Sequence, residues 1–191
     1  MAMTAWLELR FALIGLFRLA RGDRGGLDCF DRTLDGFWRS FRAAIVCYPL
    51  YLMLLTMRVA DADWQRSGGI RIVTVETIAY VISWTAFPLV MLNVARWIGR
   101  AERFFDFMVP YNWYQLPQSM LFVLVGLISA GGPPDSGVAQ LAAVAGAAAV
   151  LGYEWYLARV AFDTTRSAAA LVVLVDLVLG AVIDWSAGSL Y

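Results

Sequence analysis

The sequence predicts an all-α fold, a polytopic membrane helix bundle of five transmembrane helices with an N-terminal amphipathic helical arm. Three observations carry that reading. First, five apolar runs lie within 191 residues, at Ala43–Met57, Ile72–Ala95, Gln118–Ala130 with an apolar approach before it, Val138–Tyr156 and Ser167–Ile183. A helix of about 20 mostly apolar residues crosses the hydrocarbon core of a bilayer. Second, the chain is 61% apolar and 16% charged, with a mean hydropathy of +0.66, whereas soluble domains carry about 25% charged residues. Third, all fifteen basic residues are arginine, and they alternate by link. Seven fall before span one, three between spans two and three (Arg96, Arg100, Arg103) and two between spans four and five (Arg159, Arg166). The link between spans one and two holds the other three, Arg58, Arg66 and Arg71. This is the positive-inside pattern of a chain with its N-terminus inside and its C-terminus outside.

Residues 1–42 form the expected cytoplasmic arm, and 43–191 the five-helix transmembrane domain. Phe11–Phe17 is too short for a signal-peptide core, and Arg18 interrupts its continuation. Trp6–Ala20 is therefore read as a retained helix at the inner surface, where Arg10, Arg18 and Arg21 share one edge and can face anionic headgroups. After the Gly22–Gly26 turn, Leu27, Phe30, Leu34, Phe37, Trp38 and Phe41 recur at helical spacing opposite Asp28, Arg32, Asp35, Arg39 and Arg42. Asp28 with Arg32, and Asp35 with Arg39, are spaced as i,i+4 ion pairs. Such a segment can lie flat on the leaflet, with Trp38 at the headgroups, or pack beneath the bundle.

Span three carries Pro110 and Pro117, with Asn112, Gln115 and Gln118 among aromatic residues. Proline removes a helix donor, so a kinked or broken helix is expected here. Tyr111–Gln118 is then either an interfacial loop or the wall of a polar pocket. Span four pairs small residues, Ala142 with Gly146 and Ala148 with Gly152. These permit close helix packing within the bundle, between copies of the chain or against a membrane-protein partner. Span five places Asp176 at mid-membrane, where a charge costs at least about 2.5 kcal/mol. It is expected to face the bundle, protonated or bonded to polar residues such as Tyr80, Ser83 or Thr85 of span two. Glu76 and Glu154 are read as interfacial anchors or structural partners near span ends, with Glu154 in reach of Arg159.

The missing histidine and lysine exclude His-dependent nucleophilic triads, His–zinc and His–haem sites, and Schiff-base chemistry. Cys29 and Cys47 are isolated. Asp31–Gly36 resembles part of the acidic signature of CDP-alcohol phosphotransferases. However, its first aspartates are four apart where that family has three, and the later glycine and aspartates are missing. No enzyme, cofactor, metal or nucleic-acid partner is expected; the bilayer is the partner that composition implies.

Phe30–Phe41 leading into span one, and Tyr111–Gln118 opening span three, resemble uncharacterised five-span inner-membrane proteins of proteobacteria. The topology is also similar to that of the Yip1 family. These resemblances imply a bacterial inner membrane, with the N-terminus cytoplasmic and the C-terminus periplasmic, and a non-enzymatic scaffold, adaptor or accessory subunit. The alternative is a small transporter or channel subunit built around Asp176, Asn112, Gln115, Gln118, Tyr80 and Ser83.

Overall fold

Apolar runs of this length close their hydrogen bonds internally as helices, and the computed structural model, which describes residues 5–131 and 137–191, is built of helices with no strand among the described residues. They are α1 (Ala5–Ala20), α2 (Leu34–Ser40), α3 (Arg42–Arg58), α4 (Asp61–Ser67), α5 (Gly69–Trp97), α6 (Phe104–Ala130), α7 (Gly137–Ala161) and α8 (Arg166–Gly188). Short 3-10 turns at Arg24–Cys29 and Ala101–Arg103 complete the order. Five segments are long and apolar enough to cross a membrane; α2 and α3 together make the first, and α5 to α8 the others. The link read between spans three and four falls on residues 132–136, outside the described residues.

The long helices form a ring. α3 packs on α6, α6 on α7, α7 on α8 and α8 on α5. The ring closes between α5 and α3 through long side chains: Tyr48 and Thr77 share a hydrogen bond of 2.7 Å, and Tyr80 donates to the Ala44 carbonyl at 2.7 Å. Outward faces stay apolar, with Ile45, Ile78, Val81, Leu89, Met120, Leu141, Val144 and Leu174 exposed. Such faces suit lipid and would be an aggregation hazard in water.

Of the kinked or broken helix expected at Pro110 and Pro117, the break is corrected, because α6 continues as one helix through both. Each proline removes one donor, and the turns on either side keep the ladder going; Pro49 and Pro88 sit inside α3 and α5 in the same way. In α7, Gly146 meets α6, since a Cβ there would come 3.1 Å from Val125, whereas Gly152 faces open space. Of the two small-residue pairs, the one with Gly146 thus packs inside the bundle, and the one with Gly152 faces outward.

The segment 27–41 is not one helix. The chain is extended at Phe30 and again at Thr33, whose hydroxyl caps α2 by accepting from the Gly36 amide at 3.1 Å. This break redirects the expected ion pairs. Asp28 still pairs with Arg32 at 3.2 Å, but Arg39 turns away from Asp35 to Glu8 and Asp31. Arg42 joins Glu8 at 2.6 Å, so a glutamate only 7% exposed is held between two guanidinium groups.

α1 lies against this knot. Its inner face, Ala12, Leu16 and Leu19, joins the same core as Leu27, Phe30 and Phe37, and as Phe87, Met91, Phe107 and Phe162 of the long helices. Tyr153 of α7 donates to the Leu16 carbonyl at 2.9 Å. Its outer face leaves Trp6, Phe11, Ile14 and Phe17 exposed. Of the expected basic edge, Arg10 is exposed, Arg18 is drawn to Asp23 at 2.7 Å, and Arg21 lies over the Phe17 ring at 4.2 Å. Trp38 is 64% exposed and stacks on Phe41.

At the same end of the bundle, Gly99 adopts φ +68 to end α5, and the Arg100 amide reaches back to the Ala95 carbonyl at 2.8 Å. The Arg100 guanidinium donates to the Asp163 carbonyl at 3.1 and 3.2 Å, tying the α5–α6 link to the α7–α8 link. Arg159 lies over the Trp155 ring, 5.7 Å from its centroid.

Two outcomes follow from the knot. A Cβ at Gly36 would fall 1.8 Å from the Asp31 carbonyl oxygen, so Gly36→Ala must push α2 off Asp31 and lower the thermal unfolding midpoint in detergent, by an overpacking cost of about 1–3 kcal/mol. The Thr33 hydroxyl, with Arg39 beside it, holds the Asp31 carboxyl below the usual carboxylate range. A depressed folded value gives stability that is complete above the unfolded value of about 3.9 and is lost as pH falls through the folded one. Asp31→Asn is expected to remove that part of the acid limb when stability is followed from neutral pH downward.

Candidate functional site

The end of the bundle opposite the arm is tied by a second buried acid. Glu76 on α5 is 1% exposed. Its Oε2 accepts from Arg58 of α3 at 2.8 Å and from the Tyr51 hydroxyl, and its Oε1 accepts from the Tyr191 hydroxyl at 2.6 Å. Arg58 also reaches Asp184 of α8 at 3.1 Å. This cluster joins α3, α5, α8 and the C-terminal residue. Glu76 is a structural partner, as the sequence suggested.

Between this cluster and the arm end lies a cavity of about 770 Å³, to which all five long helices contribute. Tyr80, Ser83, Asn112, Gln115, Gln118 and Asp176, read from sequence as one polar group, all line it. Their bonding differs from the expectation. Asp176 accepts from Tyr111 of α6 at 2.8 Å rather than from α5. Tyr80 is spent on Ala44, Ser83 on the Tyr80 carbonyl and Thr85 on its own helix. Asn112 turns its amide to Ser40 of α2 at 2.8 Å, so it closes the cavity floor.

The residue that sequence reasoning misplaced is Glu154. It does not bend toward Arg159. It is 1% exposed, it lines the cavity with Asp176, and its Oε1 has no hydrogen-bond partner. Gly146, Val150, Glu154, Leu157 and Ala161 follow one another at helical spacing and are all buried. That phase was available in the sequence and places Glu154 on the inner face, whereas its closeness to an arginine in the chain misled. At 1.5 Å per residue, Glu154 and Tyr111 lie about 10 Å, and Asp176 about 15 Å, inside the arm end of their helices.

Below the floor the bundle is filled by aromatic rings. Phe107 stacks on Phe162 at 4.7 Å, Phe87 stacks on Tyr111 at 4.3 Å, and Phe37 packs against Phe104. Toward the opposite end the cavity continues past Leu54, Ala181 and Ile183 to Arg58 and Asp184 at its rim. Arg58 and Asp184 are partly exposed there, at the end away from the aromatic rings.

The cavity has the size of a small-molecule site. Its deep part holds two carboxyls and no basic side chain. Two uncompensated negative charges there would cost several kcal/mol, so the pair takes up a proton or another positive charge. Among the described residues no group of three or more His, Cys, Asp or Glu side chains is arranged to hold a metal ion. Compared with known protein families, curated proteins and solved structures, the chain has no match.

Glu76→Ala leaves Arg58 without its buried partner. It is expected to cost about 2–3 kcal/mol, at or below the lower end for a buried pair because Arg58 is partly exposed. Glu76→Gln, which keeps the shape, is expected to cost less. Thermal unfolding of the two variants in the same detergent checks the order.

Proposed function

We propose that the protein is a small-molecule carrier of a membrane, not an enzyme, loaded through the rim at Arg58 and Asp184, with Glu154 and Asp176 holding the proton exchanged for solute. The observation that carries this reading is the cavity of about 770 Å³ that both carboxyls line, with no basic side chain beside them among the described residues. A carboxyl that only joins two helices would sit in a dry contact. A scaffold or adaptor role, the first expectation from sequence, gives no reason for a cavity of ligand size.

The arginine distribution supports a bacterial inner membrane with the N-terminus cytoplasmic, so the rim faces the periplasm. α1 then rests on the cytoplasmic leaflet as an amphipathic arm, with Trp6, Phe11, Ile14 and Phe17 toward the acyl chains and Arg10 at the headgroups.

In a variant lacking Cys29 and Cys47, a cysteine at Leu54, on the cavity wall, is expected to react with a membrane-impermeant maleimide applied from the rim side of oriented proteoliposomes. In the same preparation, Glu154→Gln and Asp176→Asn should each alter the infrared carbonyl band of a protonated carboxyl. Failure of a folded Leu54→Cys protein to react from either side, or a wild-type spectrum without such a band, would overturn the carrier reading.

A further inference from the structure

The cavity's walls are chemically unequal. One side carries Glu154 and Asp176. Tyr51, Tyr80 and Trp84 form a continuous aromatic run on α3 and α5, with ring centroids 4.7 Å apart for Tyr51 and Tyr80 and 6.0 Å for Tyr80 and Trp84. Resting on the carrier reading, we infer that the solute is a monovalent organic cation with an apolar body, seated between this aromatic run and the two carboxyls.

Charge decides the sign of the ligand. Among the described residues Arg58 is the one basic side chain lining the cavity, and it has both Glu76 and Asp184 as partners. Nothing at depth would attract an anion. Glu154 and Asp176 both line the cavity, and among the described residues no basic side chain lines it beside them, so a cationic group supplies the charge that the pair lacks. Tyr111 already donates to Asp176 and satisfies one oxygen of the pair, not both acids.

Size and surface decide the rest. A bare divalent ion takes six or more oxygen ligands close to it, and two carboxyls in about 770 Å³ do not make such a cage. A sugar would need a dense set of paired donors and acceptors, whereas the wall facing the acids is aromatic. Aromatic faces within about 6 Å attract alkylated ammonium groups, which carry charge without demanding many hydrogen bonds.

Binding of one such cation displaces one proton from the carboxyl pair to the medium, so the charge in the cavity is unchanged. The titratable groups facing the pair are Tyr111 and Tyr114 of α6. Cys47 and Tyr51 of α3 and Tyr80 of α5 also line the cavity, with Arg58 and Asp184 at its rim. The tyrosines and the cysteine are neutral near pH 7 and the rim pair is mutually balanced, which leaves the two carboxyls as the source of the proton.

Benzyltrimethylammonium is the probe, with benzyl alcohol and benzoate as neutral and anionic controls, and binding is measured on the full chain in nanodiscs. The cation is expected to bind with release of one proton in weakly buffered medium, and more tightly as pH rises, by about tenfold per unit while the pair still holds its proton. Glu154→Gln should weaken it at least tenfold and Trp84→Leu several-fold, in variants that keep the wild-type unfolding midpoint. Asp176→Asn serves in place of Glu154→Gln if the latter does not fold. No binding, binding without proton release, or equal binding by the folded acid variant overturns the inference. If benzoate or benzyl alcohol binds instead while the cysteine at Leu54 still reacts, the cation falls and the carrier stands; if no probe binds and that cysteine is unreactive, both fall.

Discussion

A charge placed in hydrocarbon must be matched, and this constraint governs where each acidic side chain of the bundle can sit. Glu8 and Glu76, near opposite ends of the molecule, meet it alike: each is buried, and each is gripped by arginine from a neighbouring segment. Both grips act as clasps. The first brings α1 under α2 and α3, and the second fixes α5 to α3 and, through Arg58 and Asp184, to α8. Glu154 and Asp176 lie between the clasps, and among the described residues no arginine pairs with either. The bundle is locked at its ends and left electrostatically unfinished in the middle.

The two ends also differ in what they close. At the arm end, Phe37, Phe87, Phe104, Phe107 and Phe162 belong to one core that includes the inner face of α1, and Asn112 hydrogen-bonds Ser40 across it. The break at Phe30–Thr33 makes this possible. It lets α2 turn so that Phe37 enters the core and Arg39 reaches Glu8, which a single straight helix from Leu27 to Phe41 could not do together. At the other end the closure consists of polar side chains around Glu76, with water or lipid beyond. Charged and hydroxyl groups can part and remake such contacts at less cost than emptying an aromatic plug, so the Arg58 end is the less costly of the two to open.

Most of the architecture was legible because bilayer crossing needs long apolar runs, and these survive any detail of packing. The five spans and the inward face of Asp176 follow from length and depth alone. The continuity of α6 was not legible: proline marks a missing donor, but whether the helix breaks depends on the neighbouring turns and helices, which sequence spacing does not contain. Long-range pairing was equally hidden. Arg39 has an ideal local partner in Asp35, yet it goes to Glu8, thirty-one positions back in the chain, because that acid is buried and takes two guanidinium partners, Arg39 and Arg42. The misplacement of Glu154 came from the same habit of favouring sequence neighbours, when the stripe from Gly146 to Ala161 already set its direction.

That stripe sharpens the meaning of the unmatched carboxyls. The fold could have finished the site in either of two ways that it uses elsewhere. An arginine on a facing helix would complete an ion pair, as Arg58 does for Glu76. An amide donor would satisfy a neutral acid, and Gln115 and Gln118 line the same cavity, yet the Oε1 of Glu154 accepts from neither. An unsatisfied buried polar atom costs about 1–3 kcal/mol, and a leucine at 154 would avoid that cost in a helix whose other buried residues are apolar. The cost has a rationale if the missing partner is supplied from outside the chain, as a proton in one state and a cation in the other. On the carrier reading, the two arginine clasps and the aromatic plug provide the stability that the centre forgoes for a ligand.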